Sequence, residues 1–353
     1  MNEILTLVSP QRLKIFFTSF LITFIVVSLQ LVGIDLPHFT NSISKEKPDV
    51  FEQRIIPLLK VNENNFFLKR SSQFIKDVHA SNPWDEAHAF LVVDMDNGNI
   101  IAEKNASQKL PVASLTKIMT ALVALDLSSP DELFTVSESA ASQIPTKIGV
   151  VAGQKMTLEE LLHAVMLTSA NDAAEVIREG IDKKYRTKVF VRAMNKKAEF
   201  LGLRNTHFTN PQGFDAPDQF STAEDLARLT QYALTHYPFF AQIVKKEYIY
   251  LEKNKYHKQF DLYNWNGLIG VYPDVLGVKI GNTDAAKKTT IVVAKRQGKT
   301  ILVVLLGAPS ILDRDLWAAE LLNIGFKRTL GLESIPITDE MLREKYARWN
   351  YWN

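Results

Sequence analysis

The chain has no cysteine. That absence excludes thiol catalysis, Cys-ligated zinc and disulfide bridges. It fits a protein outside the cytoplasm without requiring one. Charge of one sign is also missing. Forty-one Lys and Arg stand against 39 Asp and Glu, and a net charge of +2 gives no electrostatic case for nucleic acid. The seven His are scattered, and none shows HExxH or another compact ligand spacing. Neither G-x-S-x-G nor G-x-x-x-x-G-K-[ST] occurs, which argues against a His-based triad and a phosphate-binding loop. No metal, no cofactor and no internal repeat is expected.

What is present begins with an apolar run. Ile15 to Ile34 (IFFTSFLITFIVVSLQLVGI) carries no charge, and at helical rise it spans roughly 30 Å, the thickness of a bilayer core. Arg12 and Lys14 precede it and Asp35 follows it. The positive-inside bias then makes 1–14 cytoplasmic, 15–34 a single-pass transmembrane anchor, and the rest extracytoplasmic. A cleaved signal peptide is the rival reading, although no small-residue cleavage site is evident near Leu31–His38. Residues 35–84 are rich in Pro, Asn and Ser and read as a linker or stalk with one short helix near 70–79.

Regular patterning starts near residue 85. AFLVVDM and NIIAEK flank Asp96-Asn97-Gly98, a hairpin signal. SLTKIMTALVALDL (114–127) has helical spacing, and TLEELLHAVML (157–167) opens with Thr157 and Glu160 as a capping box. Further amphipathic helices follow. VLGVKIG, TTIVVAK and TILVVLLG then read as strands, with a turn at Gln297-Gly298, before a helix at 315–327. Strands, a helical block, then strands and a helix indicate an α+β domain over 85–330, its helices inserted into one antiparallel sheet. The tail, 331–353, reads as a helical remnant packed on the domain, with contact to a membrane surface as the alternative.

A Ser–Lys pair is the candidate for chemistry. Ser114 and Lys117 share one helical face, so the amine can reach the hydroxyl. Serine needs a base, and lysine serves only when burial or a nearby cation makes it neutral. S-x-x-K alone says little, because Ser42–Lys45 and Ser44–Lys47 repeat it in the linker. Two more motifs follow in order: Ser169-Ala170-Asn171 on a turn between helices, and Lys279-Ile280-Gly281 on a strand.

This ordered set resembles the penicillin-binding proteins and serine β-lactamases. The blocks ASLTKIMTALVAL, LTSANDAAEVI, FVRAMNKKAEFLGLRNTHFTNPQGF, STAEDLARL, YNWNGLIG and GVKIGNTDAA narrow the resemblance to the D-alanyl-D-alanine carboxypeptidases. It covers about residues 85–327. It implies a β-lactamase/DD-peptidase fold, with a five-stranded antiparallel sheet flanked by helices and a mostly helical subdomain. It implies an acyl-enzyme on Ser114 and release of the terminal D-alanine of a peptidoglycan stem peptide. β-Lactams would then acylate Ser114 as covalent inhibitors. Lys117 would be the general base, and the N–H groups of Ser114 and Asn282 the oxyanion hole. Ser169 would relay a proton to the leaving amine, and Asn171 would hold the substrate amide and position Lys117. Lys279 and Gly281 belong to the substrate-binding strand, with Lys279 holding the substrate terminus and keeping Lys117 neutral. A D,D-endopeptidase acting on cross-links and a weakened, non-catalytic peptidoglycan-binding relative share these motifs.

Ile280 departs from the resemblance, because the strand triplet is usually Lys-Thr-Gly and the threonine hydroxyl meets the substrate carboxylate. Losing such a bond costs roughly 1.5–3 kcal/mol. Thr283 is the nearest candidate to replace it. The residues after Phe326 are too few for the β-rich C-terminal domain of many relatives, so attachment to the membrane is expected to pass to the N-terminal helix.

Overall fold

The computed structural model describes residues 49–63, 66–70 and 82–349. The expected anchor at 15–34 lies outside these residues, and so does the expected helix near 70–79 except for Arg70, which is in a strand. No helix among the described residues is long and apolar enough to cross a membrane.

In chain order the strands are β1 (Lys69–Arg70), β2 (Ala89–Asp94), β3 (Asn99–Lys104), β4 (Leu133–Thr135), β5 (Lys155–Thr157), β6 (Tyr248–Leu251), β7 (Phe260–Tyr263), β8 (Val275–Thr283), β9 (Lys287–Arg296) and β10 (Lys299–Ala308). The main sheet runs β1-β3-β2-β10-β9-β8. Its last five members pair antiparallel, while β1 pairs parallel to β3. The sheet is therefore six-stranded, not five-stranded as expected. The reason is local. Lys69 N–H donates to the Gly98 carbonyl at 2.8 Å, and any Cβ on Gly98 would sit 2.1 Å from the Phe67 carbonyl oxygen. The glycine of the β2–β3 turn thus lets the 66–70 segment lie against the hairpin. Arg70 then grips Glu103 through Nε at 2.8 Å and Nη2 at 3.0 Å, and also pairs with Glu224. Two small two-stranded sheets, β4–β5 and β6–β7, lie outside the expected pattern.

The helices are α1 (Lys117–Leu127), α2 (Glu138–Ala141), α3 (Leu158–Leu167), α4 (Asn171–Tyr185), α5 (Phe190–Phe200), α6 (Ala223–His236), α7 (Pro238–Val244), α8 (Ile311–Leu330) and α9 (Asp339–Ala347). The expected cap of α3 is present: Glu160 N–H donates to Thr157 Oγ1 at 3.2 Å and Thr157 N–H to Glu160 Oε2 at 2.8 Å.

The central strands are buried on both faces, as their unbroken apolar runs require. Leu91, Val93, Ile291, Leu302 and Val304 pack toward the helical block of α1, α3, α4, α6 and α7. Val92, Val292, Ile301 and Val303 pack toward Trp317, Leu321 and Phe326 of α8 and Leu342 of α9. Helix α1 is buried all round except at Leu125, which is why its first residue, Lys117, is out of solvent. Part of the expected linker also belongs to this domain. Phe51, Ile55 and Leu59 are buried in the helical core.

Lys197 fastens that segment. Its buried Nζ donates to Asp126 Oδ2 at 2.7 Å, to the Tyr237 hydroxyl at 2.8 Å and to the Lys60 carbonyl at 2.7 Å. Three helices and the 50–63 segment meet at this knot.

Candidate active site

A 3-10 turn, Ala113–Thr116, leads into α1 and carries Ser114. Ala113 has φ +50° and Ser169 φ +61°, left-handed conformations that each cost a non-glycine residue roughly 1–3 kcal/mol. Packing holds Ala113 there. A Cβ on Gly213 would come within 2.0 Å of its carbonyl oxygen, and one on Gly281 within 2.9 Å of its Cβ. The same Cβ on Gly281 would sit 2.9 Å from the Ser114 nitrogen, so only glycine lets β8 pass so close to that N–H.

Lys117 Nζ lies 2.8 Å from Ser114 Oγ, 2.8 Å from Asn171 Oδ1 and 2.6 Å from the Gln212 carbonyl. Burial pushes its pKa down to about 7, against the opposing charge of Asp172. Asn171 is the first residue of α4, whose N-cap is Ala170, so its side chain is free for Lys117 rather than used as a cap. Its Nδ2 donates to the Ile144 carbonyl at 3.1 Å, which fixes the amide with Oδ1 toward the amine.

Strand alternation divides β8 between two tasks. Gly281 passes close to the Ser114 backbone, while Ile280 and Asn282 line a cleft of about 230 Å³ together with Ser114, Ser169 and Thr146, and Lys279 is not part of that lining. Lys279 is buried and donates to the Ile280 carbonyl at 3.0 Å. Burial first, then the charges of Lys117 and Arg314, push its pKa well down. Thr283 does not line the cleft. Its hydroxyl donates to Asp215 Oδ1 at 2.7 Å and accepts from Ala286 N–H at 3.1 Å, so it is committed to the β8–β9 turn and does not replace the missing threonine hydroxyl.

Residues 76–310 match the D-alanyl-D-alanine carboxypeptidase family. The chain belongs to this family. It is similar to the D-alanyl-D-alanine carboxypeptidase DacF of Bacillus subtilis, with 35% identity over 249 residues that cover 69% of this chain and 63% of DacF. The match therefore spans less than two thirds of that relative. It is also similar to the D-alanyl-D-alanine carboxypeptidase DacB2 of Mycobacterium tuberculosis, with 32% identity over 253 residues that cover 69% of this chain and 84% of DacB2. A solved DD-transpeptidase of Streptomyces superposes with a TM-score of 0.64 at 29% identity, covering 68% of this chain and 97% of that one.

Within this carboxypeptidase-family domain, several site residues escaped the sequence. Gln212 serves Lys117 through a backbone carbonyl, which no side-chain pattern announces; its own amide donates to Glu175 Oε2 at 2.7 Å. Arg314 lines the cleft, and the expected start of the last helix at 315 left it out. Ser310 caps that helix, accepting from Asp313 N–H at 3.0 Å, so α8 begins four residues earlier and turns Arg314 inward. Asp315 holds it through Nε at 2.7 Å and Nη2 at 2.8 Å. Burial opposes the guanidinium charge, but this carboxylate more than offsets it and raises the pKa. Trp265, Ile311 and Trp349 complete the lining.

Proposed function

We infer that this chain is a serine D-alanyl-D-alanine carboxypeptidase, which removes the terminal D-alanine of peptidoglycan stem peptides through an acyl-enzyme on Ser114. One observation carries the reading: a fully buried lysine, its pKa lowered to about 7, stands 2.8 Å from a serine hydroxyl that opens onto a cleft. Near neutral pH a large share of Lys117 is an amine able to take the Ser114 proton. Ser114 Oγ attacks the carbonyl carbon between the two D-alanines. The developing oxyanion is held by the Ser114 and Asn282 N–H groups, which the close passage of β8 supports. The C–N bond breaks, Ser169 passes a proton to the leaving amine, and water later hydrolyses the ester.

Repulsion between Lys117 and Lys279 disfavours charging both buried amines at once. Arg314 offers the substrate carboxylate a permanent cation where Ile280 offers no hydroxyl. β-Lactams would acylate the same serine. The uncharged run Ile15–Ile34 and its basic flank support a single-pass anchor, with the catalytic domain on the outer face of the membrane.

The test is release of D-alanine from a peptide ending in D-Ala-D-Ala. The chain should release it and Ser114→Ala should not. Equal release by both would place the nucleophile elsewhere.

A further inference from the structure

We propose that Trp349 is a specificity-determining wall of the catalytic cleft, which limits the leaving D-residue to one with a side chain about the size of a methyl group. The proposal rests on the carboxypeptidase reading and adds what that reading leaves open, the choice between a free stem-peptide end and a cross-link.

Trp349 lies far from Ser114 in sequence, yet both line one cleft. Its side chain is 2% exposed, with its ring centroid 4.9 Å from Tyr346 and 6.5 Å from Trp265. The segment that carries it is fastened at several points. Asn323 on α8 clips the approach, donating to the Ile335 carbonyl at 2.9 Å and accepting from Ile335 N–H at 3.0 Å. Thr338 caps α9, Leu342 is buried against α8, and Lys345 pairs with Glu247. The Tyr346 hydroxyl donates to Asp315 Oδ2 at 2.8 Å, the carboxylate that grips Arg314. One helix therefore both supports the Arg314 ion pair and sets an indole beside it.

Position gives this wall its consequence. The last residue of the substrate carries its carboxylate and its side chain on the same carbon. If Arg314 takes the carboxylate, the side chain must fit among Ile280, Ile311, Trp265 and Trp349. The cleft holds about 230 Å³, below the roughly 300–1,000 Å³ of pockets for drug-sized ligands. A methyl group fits such a space. A cross-link fits poorly, because its leaving D-centre bears a long side chain that continues into a second stem peptide. A misfit of one methylene in an apolar pocket discriminates by roughly 10–200-fold.

The experiment measures kcat/KM of the full chain on two peptides with the same acyl part, one ending in D-Ala-D-Ala and one in D-Ala-D-Leu. The unaltered chain should prefer D-alanine by about tenfold or more. Trp349→Ala should shrink that preference by about tenfold, mainly through KM for the D-leucine peptide, and should begin to cleave a cross-linked muropeptide dimer. Trp349→Phe should fall between the two. Should Trp349→Ala show no cooperative thermal transition, Trp349→Phe is read on the same ratio. A ratio within about twofold of the unaltered chain in the variant that is read overturns the proposal. Equal acceleration of both peptides also overturns it, by showing a plug rather than a wall, and so does equal loss. An unaltered chain that cleaves neither peptide overturns the carboxypeptidase reading and this proposal with it.

Discussion

Lys117 Nζ donates to the Gln212 carbonyl at 2.6 Å and to Asn171 Oδ1 at 2.8 Å. Both oxygens can only accept. A neutral amine has two hydrogens and one lone pair, and these acceptors take both hydrogens. The lone pair is left for the third neighbour, the Ser114 hydroxyl at 2.8 Å. The site thus aims the base as well as lowering its pKa.

The rate of acylation should follow that base. Lys117 acts when neutral, so acylation by a β-lactam should rise with pH through about 7, and the protonated form below it should be inactive. The buried Asp172 carboxylate favours the charged lysine while it accepts N–H bonds from Ile148, Gly149 and Val150. Asp172→Asn should therefore move the ascending limb to lower pH. Stopped-flow acylation across pH checks this, and a limb that stays in place would remove Asp172 from the titration.

Ile280 is the residue at which the cleft departs from the usual strand triplet. Ile280→Thr restores a hydroxyl on a side chain that already lines the cleft. Acylation efficiency with penicillin should rise roughly tenfold or more, the equivalent of ~1.5–3 kcal/mol. Second-order acylation constants measure it. No increase would mean that Arg314 already supplies what the hydroxyl would add.

Stability should hinge on the Lys197 knot. Lys197→Met leaves Asp126 buried without its cation, which costs about 3–5 kcal/mol. At roughly 2–4 °C per kcal/mol, the melting temperature should fall by ~6–20 °C. Adding Asp126→Asn should recover part of the loss, because the stranded charge is then gone. Calorimetry of the single and double variants decides the matter.

Local chemistry was readable in the sequence, and distant chemistry was not. Ser114 and Lys117 are three residues apart at a helix start, so their contact follows from helical geometry. The Thr157–Glu160 cap and the Asn97-Gly98 turn are likewise short-range. β1 was hidden because Lys69 and Arg70 are both exposed and show no alternation. Phe51, Ile55 and Leu59 repeat every four residues, but Pro57 interrupts the stripe and masked it as linker. The Gln212 carbonyl carries no side-chain signal, and Trp349 reaches the cleft only through tertiary packing of α9.

Ser114 is the centre of the account, and one measurement tests it most directly. The full chain is incubated with benzylpenicillin, its intact mass recorded and the modified peptide sequenced, with Ser114→Ala in parallel. The expected result is one covalent adduct, located on Ser114 and absent from the variant. No adduct on the folded chain, or one that persists in Ser114→Ala, would contradict the mechanism.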